Sequence, residues 1–140
     1  MSTASHGRLD TQLCIAESMD VVRARADARQ LASMIGFSPA DQTRLATAVS
    51  ELSRNILQYA GKGHCEMRDI STNDTLGIQI LFEDNGPGIP DISLAIQDGY
   101  STGGGLGAGL PGTKRLMDKF SIESRPGLTR VNIAMVRRRA

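Results

Sequence analysis

Residues 75–88 read TLGIQILFEDNGPG, an alternation of apolar and polar residues that ends at an acid and breaks into a glycine-rich turn. An alternation with a period of two predicts a β-strand with one buried face, here over residues 75–83. Asp84 closes the strand, and Gly86 and Gly88 allow the backbone to turn and to approach a flat ring closely. A carboxylate placed there can accept a hydrogen bond from an exocyclic amine such as that of adenine, although Asn-Gly and Pro-Gly also mark ordinary turns.

The segments around this strand carry helix and strand patterns in turn. Ser38 can cap a helix that Pro39 begins, and Gly36 and Gly61 stand where helices end. The predicted order is a strand at 10–17, helices at 18–35 and 39–60, strands at 63–70 and 75–83, helices at 91–97 and 110–119, and strands at 119–125 and 128–136. Because hairpins join most of the strands, we expect an α+β two-layer sandwich, a mostly antiparallel mixed sheet covered on one face by about three helices.

Length and composition indicate one globular domain with no nucleic-acid or membrane partner. The chain has 140 residues, 40% of them hydrophobic, and a formal net charge of +1. We expect residues 1–9 to be a flexible leader and residues 10–137 to form a single cytoplasmic domain, since neither a signal peptide nor a membrane-length apolar run is present. Cys14 and Cys65 form no metal or redox motif and are expected to be buried thiols, and the arginines at 137–139 a solvated tail.

Glu51 and Asn55 lie four residues apart on the second long helix and so share one helix face, beside the apolar stripe that contains Leu52. The carboxylate can accept a proton or orient a water molecule, and the amide oxygen can join the oxygen shell that Mg²⁺ requires. A solvated polar pair beside a core stripe would show the same pattern. The pair therefore indicates a site only in combination with other signals.

The densest glycine run of the chain precedes the last predicted helix. Glycine-rich backbone ahead of a helix N-terminus presents several N–H donors to an anion, and phosphate is the natural ligand. The same residues suit a mobile lid over a nucleotide, whereas the alternative, a flexible linker, rarely lies inside a compact domain. The run comprises Ser101, Thr102, Gly103, Gly104, Gly105, Leu106, Gly107, Ala108, Gly109 and Leu110.

Taken together, these segments resemble the GHKL ATPases, the family of gyrase, Hsp90, histidine kinases and MutL. The resemblance covers about residues 10–136, and four elements in this order are specific to the family and its Bergerat ATP-binding fold. They are Glu51-Leu-Ser-Arg-Asn55, similar to the N box, Asp84-Asn-Gly-Pro-Gly-Ile89, similar to the G1 box, Gly105-Leu-Gly-Ala-Gly-Leu110, similar to the G2 box, and Gly127-Leu-Thr129, similar to the late threonine element. The run from Asp98 to Asp118 is most similar to short bacterial anti-sigma and switch kinases of the RsbT type.

The resemblance implies a role for each matched residue. Glu51 would be the general base for the substrate hydroxyl, Asn55 would bind Mg²⁺, and Asp84 would bind the adenine amine of ATP. Thr129 would support the adenine indirectly. The residues that would line the base pocket or wrap the phosphates are Gly86, Gly88, Ile89, Ser101, Thr102, Gly103, Gly104, Gly105, Leu106, Gly107, Ala108, Gly109 and Leu110.

Three hypotheses about activity follow from the resemblance. The first is a kinase that uses ATP and Mg²⁺ to phosphorylate a serine or threonine of a STAS-domain antagonist protein in bacterial stress or sigma-factor signalling. The resemblance to the RsbT type also implies activation of a PP2C-type phosphatase. The second is a nucleotide-gated module that holds a sigma factor or a phosphatase with little catalysis. The third is a detached histidine-kinase catalytic domain, which needs a phosphoacceptor histidine on another chain. The sequence determines neither the partner nor the oligomeric state.

Overall fold

The computed structural model describes residues 8–88 and 109–139, and these residues form five strands and three helices. None of these three helices is long and apolar enough to cross a lipid bilayer. The predicted helix at 91–97 and most of the glycine-rich run lie outside the described residues. In chain order the elements are β1 (Arg8–Ile15), α1 (Ser18–Ile35), α2 (Pro39–Tyr59), β2 (Gly63–Asp69), β3 (Thr75–Asp84), α3 (Gly109–Leu116), β4 (Lys119–Arg125) and β5 (Leu128–Arg138).

The five strands form one sheet in the order β1-β2-β3-β5-β4. Every pair of neighbouring strands is antiparallel, so the described part of the sheet contains no parallel pair. The strand β3 therefore lies at the centre, between β2 and β5. The predicted α+β fold with a mostly antiparallel sheet is confirmed.

The helices cover one face of the sheet because their apolar stripes and the inward side chains of the strands form one core. The helix α2 starts as predicted, with Pro39 in its first turn and the Ser38 hydroxyl accepting a hydrogen bond from Asp41 N at 3.2 Å. Its stripe runs through Leu45, Val49, Leu52 and Ile56, all buried against the sheet. The opposite face of the sheet carries charged side chains, including Glu83 and Arg130, joined by an ion pair of 2.6 Å.

Several boundaries differ from the prediction by two or three residues. The strand β1 begins at Arg8, within the expected leader, and β5 extends to Arg138. The helix α3 ends at Leu116 rather than at 119, because the chain reverses at Asp118, whose N–H donates to Ala134 O at 3.1 Å. Pairing with β5 therefore starts β4 at Lys119. Helix ends are the least certain part of a sequence-based prediction, because tertiary contacts of this kind determine them.

The prediction of two buried thiols is right for Cys65 and wrong for Cys14. Cys65 faces the core, where burial, reinforced by the charges of Asp27 and Glu66, raises its pKa to about 12. Cys14 is exposed. It precedes the fully buried Ile15 on β1, and successive side chains of a strand point to opposite faces of the sheet. The sequence could not reveal which of the two residues faces inward.

The prediction that the terminal arginines are solvated is wrong for Arg137, whereas Arg138 and Arg139 are exposed. Arg137 donates two hydrogen bonds of 3.0 Å to the carboxylate of Asp41, and its Nη1 donates to Asp118 Oδ2 at 2.6 Å. It therefore fastens the start of α2 and the reversal at Asp118 to the end of β5. Burial by itself raises the pKa of Asp41, but the hydrogen bonds and charge of Arg137, aided by Arg44, outweigh it and lower the pKa below its ordinary value.

Replacing Arg137 by Met should destabilise the fold by about 1–2 kcal/mol at pH 7, because Asp41 keeps Arg44 but loses two charge-assisted hydrogen bonds. A carboxyl whose folded pKa is depressed contributes stability above its unfolded pKa and loses it as the pH falls through the folded value. The difference in unfolding free energy between the wild type and Arg137→Met should therefore become smaller below about pH 4. Urea unfolding at a series of pH values measures both effects.

Arg138→Met is the matched control, since Arg138 is exposed and its side chain bonds to no described residue. Equal unfolding midpoints for the two variants would show that the Arg137 contacts do not stabilise the fold.

Candidate functional site

A pocket lies at one end of the sheet, between α2, the ends of β3 and β5, and α3. Its empty space, part of it open to solvent, is about 420 Å³. The described residues that line it are Leu52, Asn55, Ile56, Tyr59, Phe82, Asp84, Gly88, Leu110, Thr129 and Val131. The sequence-predicted residues Asn55, Asp84, Gly88, Leu110 and Thr129 are thus brought together, from four separate segments of the chain.

The floor of the pocket is the pairing of β3 with β5. Asp84 stands opposite Thr129 and Phe82 opposite Val131 in this antiparallel register. Since alternate residues of a strand share a face, these four side chains form a polar pair next to an apolar pair. The Thr129 hydroxyl lies 2.6 Å from the hydroxyl of Ser124 on β4, which fixes its position. Such a floor can hold a flat, partly polar ring.

Asp84 is the buried charge of the pocket, with 8% of its surface exposed. Burial raises its pKa, against the effect of the Gly86 N–H, which donates to Oδ1 at 2.9 Å, and the nearby charge of Glu83 raises the pKa further. Within the described ranges this is the only hydrogen bond that the carboxylate accepts. A buried carboxylate with so few donors is stabilised by any ligand that brings another N–H to it.

Two of the predicted residues, Asn55 and Glu51, lie on α2 but face different surroundings. Asn55 is half-buried in the pocket wall, and its amide bonds to no other described residue. Glu51 does not line the pocket. Its side chain is 15% exposed, and Oε1 accepts a hydrogen bond from Arg54 Nη1 at 2.9 Å. The Asn55 amide can therefore meet a ligand directly. Arg54 holds one oxygen of the Glu51 carboxylate, and Oε2 bonds to no described residue.

Gly86 and Gly88 hold the loop after β3 against its neighbours. A Cβ on Gly86 would lie 2.6 Å from the Cβ of Ala60 at the end of α2. Gly88 has a φ of +88°, and a Cβ there would lie 2.7 Å from the carbonyl oxygen of Arg125. A side chain at either position would therefore collide with a neighbouring segment, and at Gly88 the left-handed backbone conformation disfavours other residues as well. Gly86 itself does not line the pocket, whereas Gly88 does.

The loop after β3 is also tied to the turn between β4 and β5. Gly127 N donates to Gly86 O at 2.9 Å, and Asn85 Nδ2 donates to Gly127 O at 3.0 Å. These two bonds join the loop that follows Asp84 to the turn that precedes Thr129. They hold both polar residues of the pocket floor in one rigid unit.

The remaining predicted residues have their own placements. Ile89 and the phosphate-wrapping residues from Ser101 to Ala108 lie outside the described residues, so their predicted contacts stay predictions. Gly109 begins α3 and Leu110 lines the pocket. In the part of the chain that the structure describes, no three His, Cys, Asp or Glu side chains are grouped so as to hold a metal ion.

The apolar wall of the pocket was not predicted as part of the site. The sequence places Leu52 and Ile56 in the core stripe of α2, and it gives Tyr59, Phe82 and Val131 no part in the site. Simple spacing would have identified them. Tyr59 lies one helical turn beyond Asn55, Phe82 lies two residues before Asp84, and Val131 two residues after Thr129, so each shares a face with a predicted residue.

Comparison with known proteins extends these observations. A family model described as "Histidine kinase-, DNA gyrase B-, and HSP90-like ATPase" matches residues 40–138. The chain is 50% identical over 121 residues to the serine/threonine-protein kinase RsbT of Bacillus subtilis (strain 168), which covers 85% of this chain and 91% of RsbT. The fold is similar to that of the mycobacterial sensor histidine kinase MprB, with a TM-score of 0.54 at 16% identity over 90% of this chain and 96% of that chain.

Replacing Asn85 by Ala should weaken nucleotide binding about three- to tenfold, because one hydrogen bond between the loop and the turn is worth about 1 kcal/mol. Titration calorimetry with ATP measures the change. Asn73→Ala, in the exposed turn between β2 and β3, is the matched control and should bind like the wild type. Unchanged affinity in the Asn85 variant would show that the tie does not position the pocket floor.

Proposed function

Because the chain belongs to the family of histidine kinase-, DNA gyrase B- and HSP90-like ATPases, we propose that it is an ATP-dependent serine/threonine protein kinase whose nucleotide site is the pocket at the end of the sheet. The single observation that carries the site assignment is Asp84, a buried carboxylate with one described hydrogen-bond donor at the floor of an apolar pocket. The exocyclic amine of adenine supplies the missing donor. The apolar walls accept the faces of the ring.

The phosphates of ATP extend from the adenine toward Asn55 and the N-terminus of α3. Glycine-rich backbone before a helix offers N–H donors to phosphate oxygens, as expected for the residues from Ser101 to Gly109. Mg²⁺ is commonly held by one or two protein oxygens together with nucleotide phosphates, and the Asn55 amide oxygen fits that role. The metal supplies charge neutralisation during phosphoryl transfer.

Glu51 is the proposed general base. In the transfer, the hydroxyl oxygen of a substrate serine or threonine forms a bond to the γ-phosphorus. The bond from that phosphorus to the β–γ bridging oxygen breaks, and ADP leaves. The hydroxyl proton passes to the carboxylate of Glu51. Arg54 pairs with Oε1, so Oε2 is the oxygen that can take the proton while the ion pair stays closed.

The proposed substrate is a STAS-domain antagonist protein that acts in bacterial stress or sigma-factor signalling, and the proposed second partner is a PP2C-type phosphatase that the chain activates. The support is the identity of 50% to RsbT across most of both chains, together with the predicted kinase motifs. The proposed location is the cytoplasm, where ATP and these signalling proteins are found.

A second candidate, in which the ion pair with Arg54 is the only role of the Glu51 carboxylate, is a nucleotide-gated module that binds a sigma factor or a phosphatase with little catalysis. In such a module ATP would change the affinity for the partner, and Glu51 would not act as a base. The two candidates share the nucleotide pocket and differ only in what Glu51 does.

Glu51→Gln separates the candidates. The amide cannot accept the hydroxyl proton, so phosphorylation of the partner should fall at least about a hundredfold, while ATP affinity should stay within about twofold. Transfer of labelled γ-phosphate to purified STAS-domain proteins of the same organism, with calorimetry for ATP, measures both quantities. Glu123→Gln, on the edge strand β4, is the control with the same chemical change.

Full phosphorylation by the Gln variant would refute Glu51 as the base. Nucleotide-dependent partner binding by the wild type without phosphorylation would favour the second candidate.

A further inference from the structure

The outer face of α1 exposes apolar side chains that nothing in the nucleotide site uses. Met19 is 59% exposed, Val22 45% and Met34 75%, and these are three of the four large apolar side chains exposed in the described residues. Met19, Val22 and the exposed Ala26 recur at helical spacing and form a stripe along one side of the helix, and Met34 lies two turns further along, beyond the exposed polar residues Gln30 and Ser33. Isolated surface apolar residues are ordinary, but several on one side of a single helix indicate a contact surface.

Positive charge borders this stripe. Arg23, Arg25 and Arg29 are exposed on α1, whereas the two acids of the helix, Asp20 and Asp27, are buried and half-buried. Arg23 contacts Asp20 at 3.3 Å. Arg25 has no ion pair or hydrogen bond to a described residue. The exposed side of α1 therefore has an apolar centre and a basic rim.

The stripe lies apart from the nucleotide site. None of the described pocket-lining residues belongs to α1, and α1 packs on α2. The part of α2 that lines the pocket is its C-terminal half, through residues that include Asn55 and Tyr59. A protein bound to the outer face of α1 would therefore leave the pocket open to nucleotide.

We infer that the outer face of α1 is a docking surface for the protein substrate, which meets it with an apolar centre and an acidic rim. Charge complementarity argues for an acidic partner, since the exposed charges of α1 are all basic. It argues against a second copy of the chain, because a two-fold contact would bring the arginines of both copies together. Met and Arg are also residue types enriched in protein interfaces. The identity of the partner rests on the proposed function.

The test measures binding of the full chain to purified STAS-domain proteins of the same organism by titration calorimetry. Val22→Glu and Arg25→Glu should each weaken binding of the partner at least about tenfold, as the loss of a central contact does. Affinity for ATP should not change, which also shows that the variants are folded. Wild-type binding should weaken as NaCl is raised, since exposed charges are screened.

Arg138→Glu is the matched control, because it makes the same charge change at an exposed arginine outside α1 and should leave binding unchanged. Three results would overturn the inference: equal binding by the α1 variants and the wild type, no binding of any STAS-domain protein to the wild type, or a wild-type dimer that the α1 variants dissociate. Binding of the wild type to anionic lipid vesicles through α1, in place of the protein, would overturn it as well.

Failure of the proposed function gives a different result. A STAS-domain protein that binds through α1 but receives no phosphate would leave the docking surface standing and refute the kinase activity toward it. Phosphorylation of a STAS-domain protein by the α1 variants at the wild-type rate would leave the kinase activity standing and refute the docking surface.

Discussion

The antiparallel pairing of β3 with β5 is the interaction on which the site depends. It joins residues 75–84 to residues 129–138 in an unbroken register, at the centre of the sheet. Because the register is unbroken to its end, the carboxylate of Asp84 lies beside the hydroxyl of Thr129, and Phe82 lies beside Val131. A shift of β5 by one residue would turn Thr129 and Val131 to the other face of the sheet and remove half of the pocket floor.

The helix α2 completes the pocket, and its position is held at both ends. Arg137 at the end of β5 binds Asp41 near the start of the helix, and Ala60 at its other end packs closely on Gly86. The strands β3 and β5 thus form the floor, and β5 and the loop after β3 also fix the wall. The polar groups of the floor and wall then meet a ligand in a prearranged geometry, which favours binding because little ordering remains to be done.

Local patterns in the sequence account for most of the fold and for half of the site. Strand alternation, helical spacing, the cap at Ser38 and the glycines after Asp84 act over a few residues, so they predict the elements and the candidates Asn55 and Asp84. Thr129 is assigned to the site only through the resemblance to the GHKL ATPases. The ion pair of Arg137 with Asp41 could not be predicted, because it joins residues 96 positions apart. The exposure of Cys14 and the engagement of Glu51 by Arg54 also depend on side-chain orientation, which local spacing does not determine.

The central claim, that the buried carboxylate of Asp84 binds the base of ATP, is tested most directly by calorimetry with ATP and ADP, each with and without Mg²⁺, on the wild type and Asp84→Asn. The amide can still accept the Gly86 N–H but carries no charge for the adenine amine. Asp74→Asn, in the exposed turn before β3, is the control with the same chemical change. The account predicts wild-type binding that is stronger with Mg²⁺ and that Asp84→Asn alone weakens at least about tenfold. Equal ATP affinity in the wild type and Asp84→Asn, or no binding to the wild type, would contradict it.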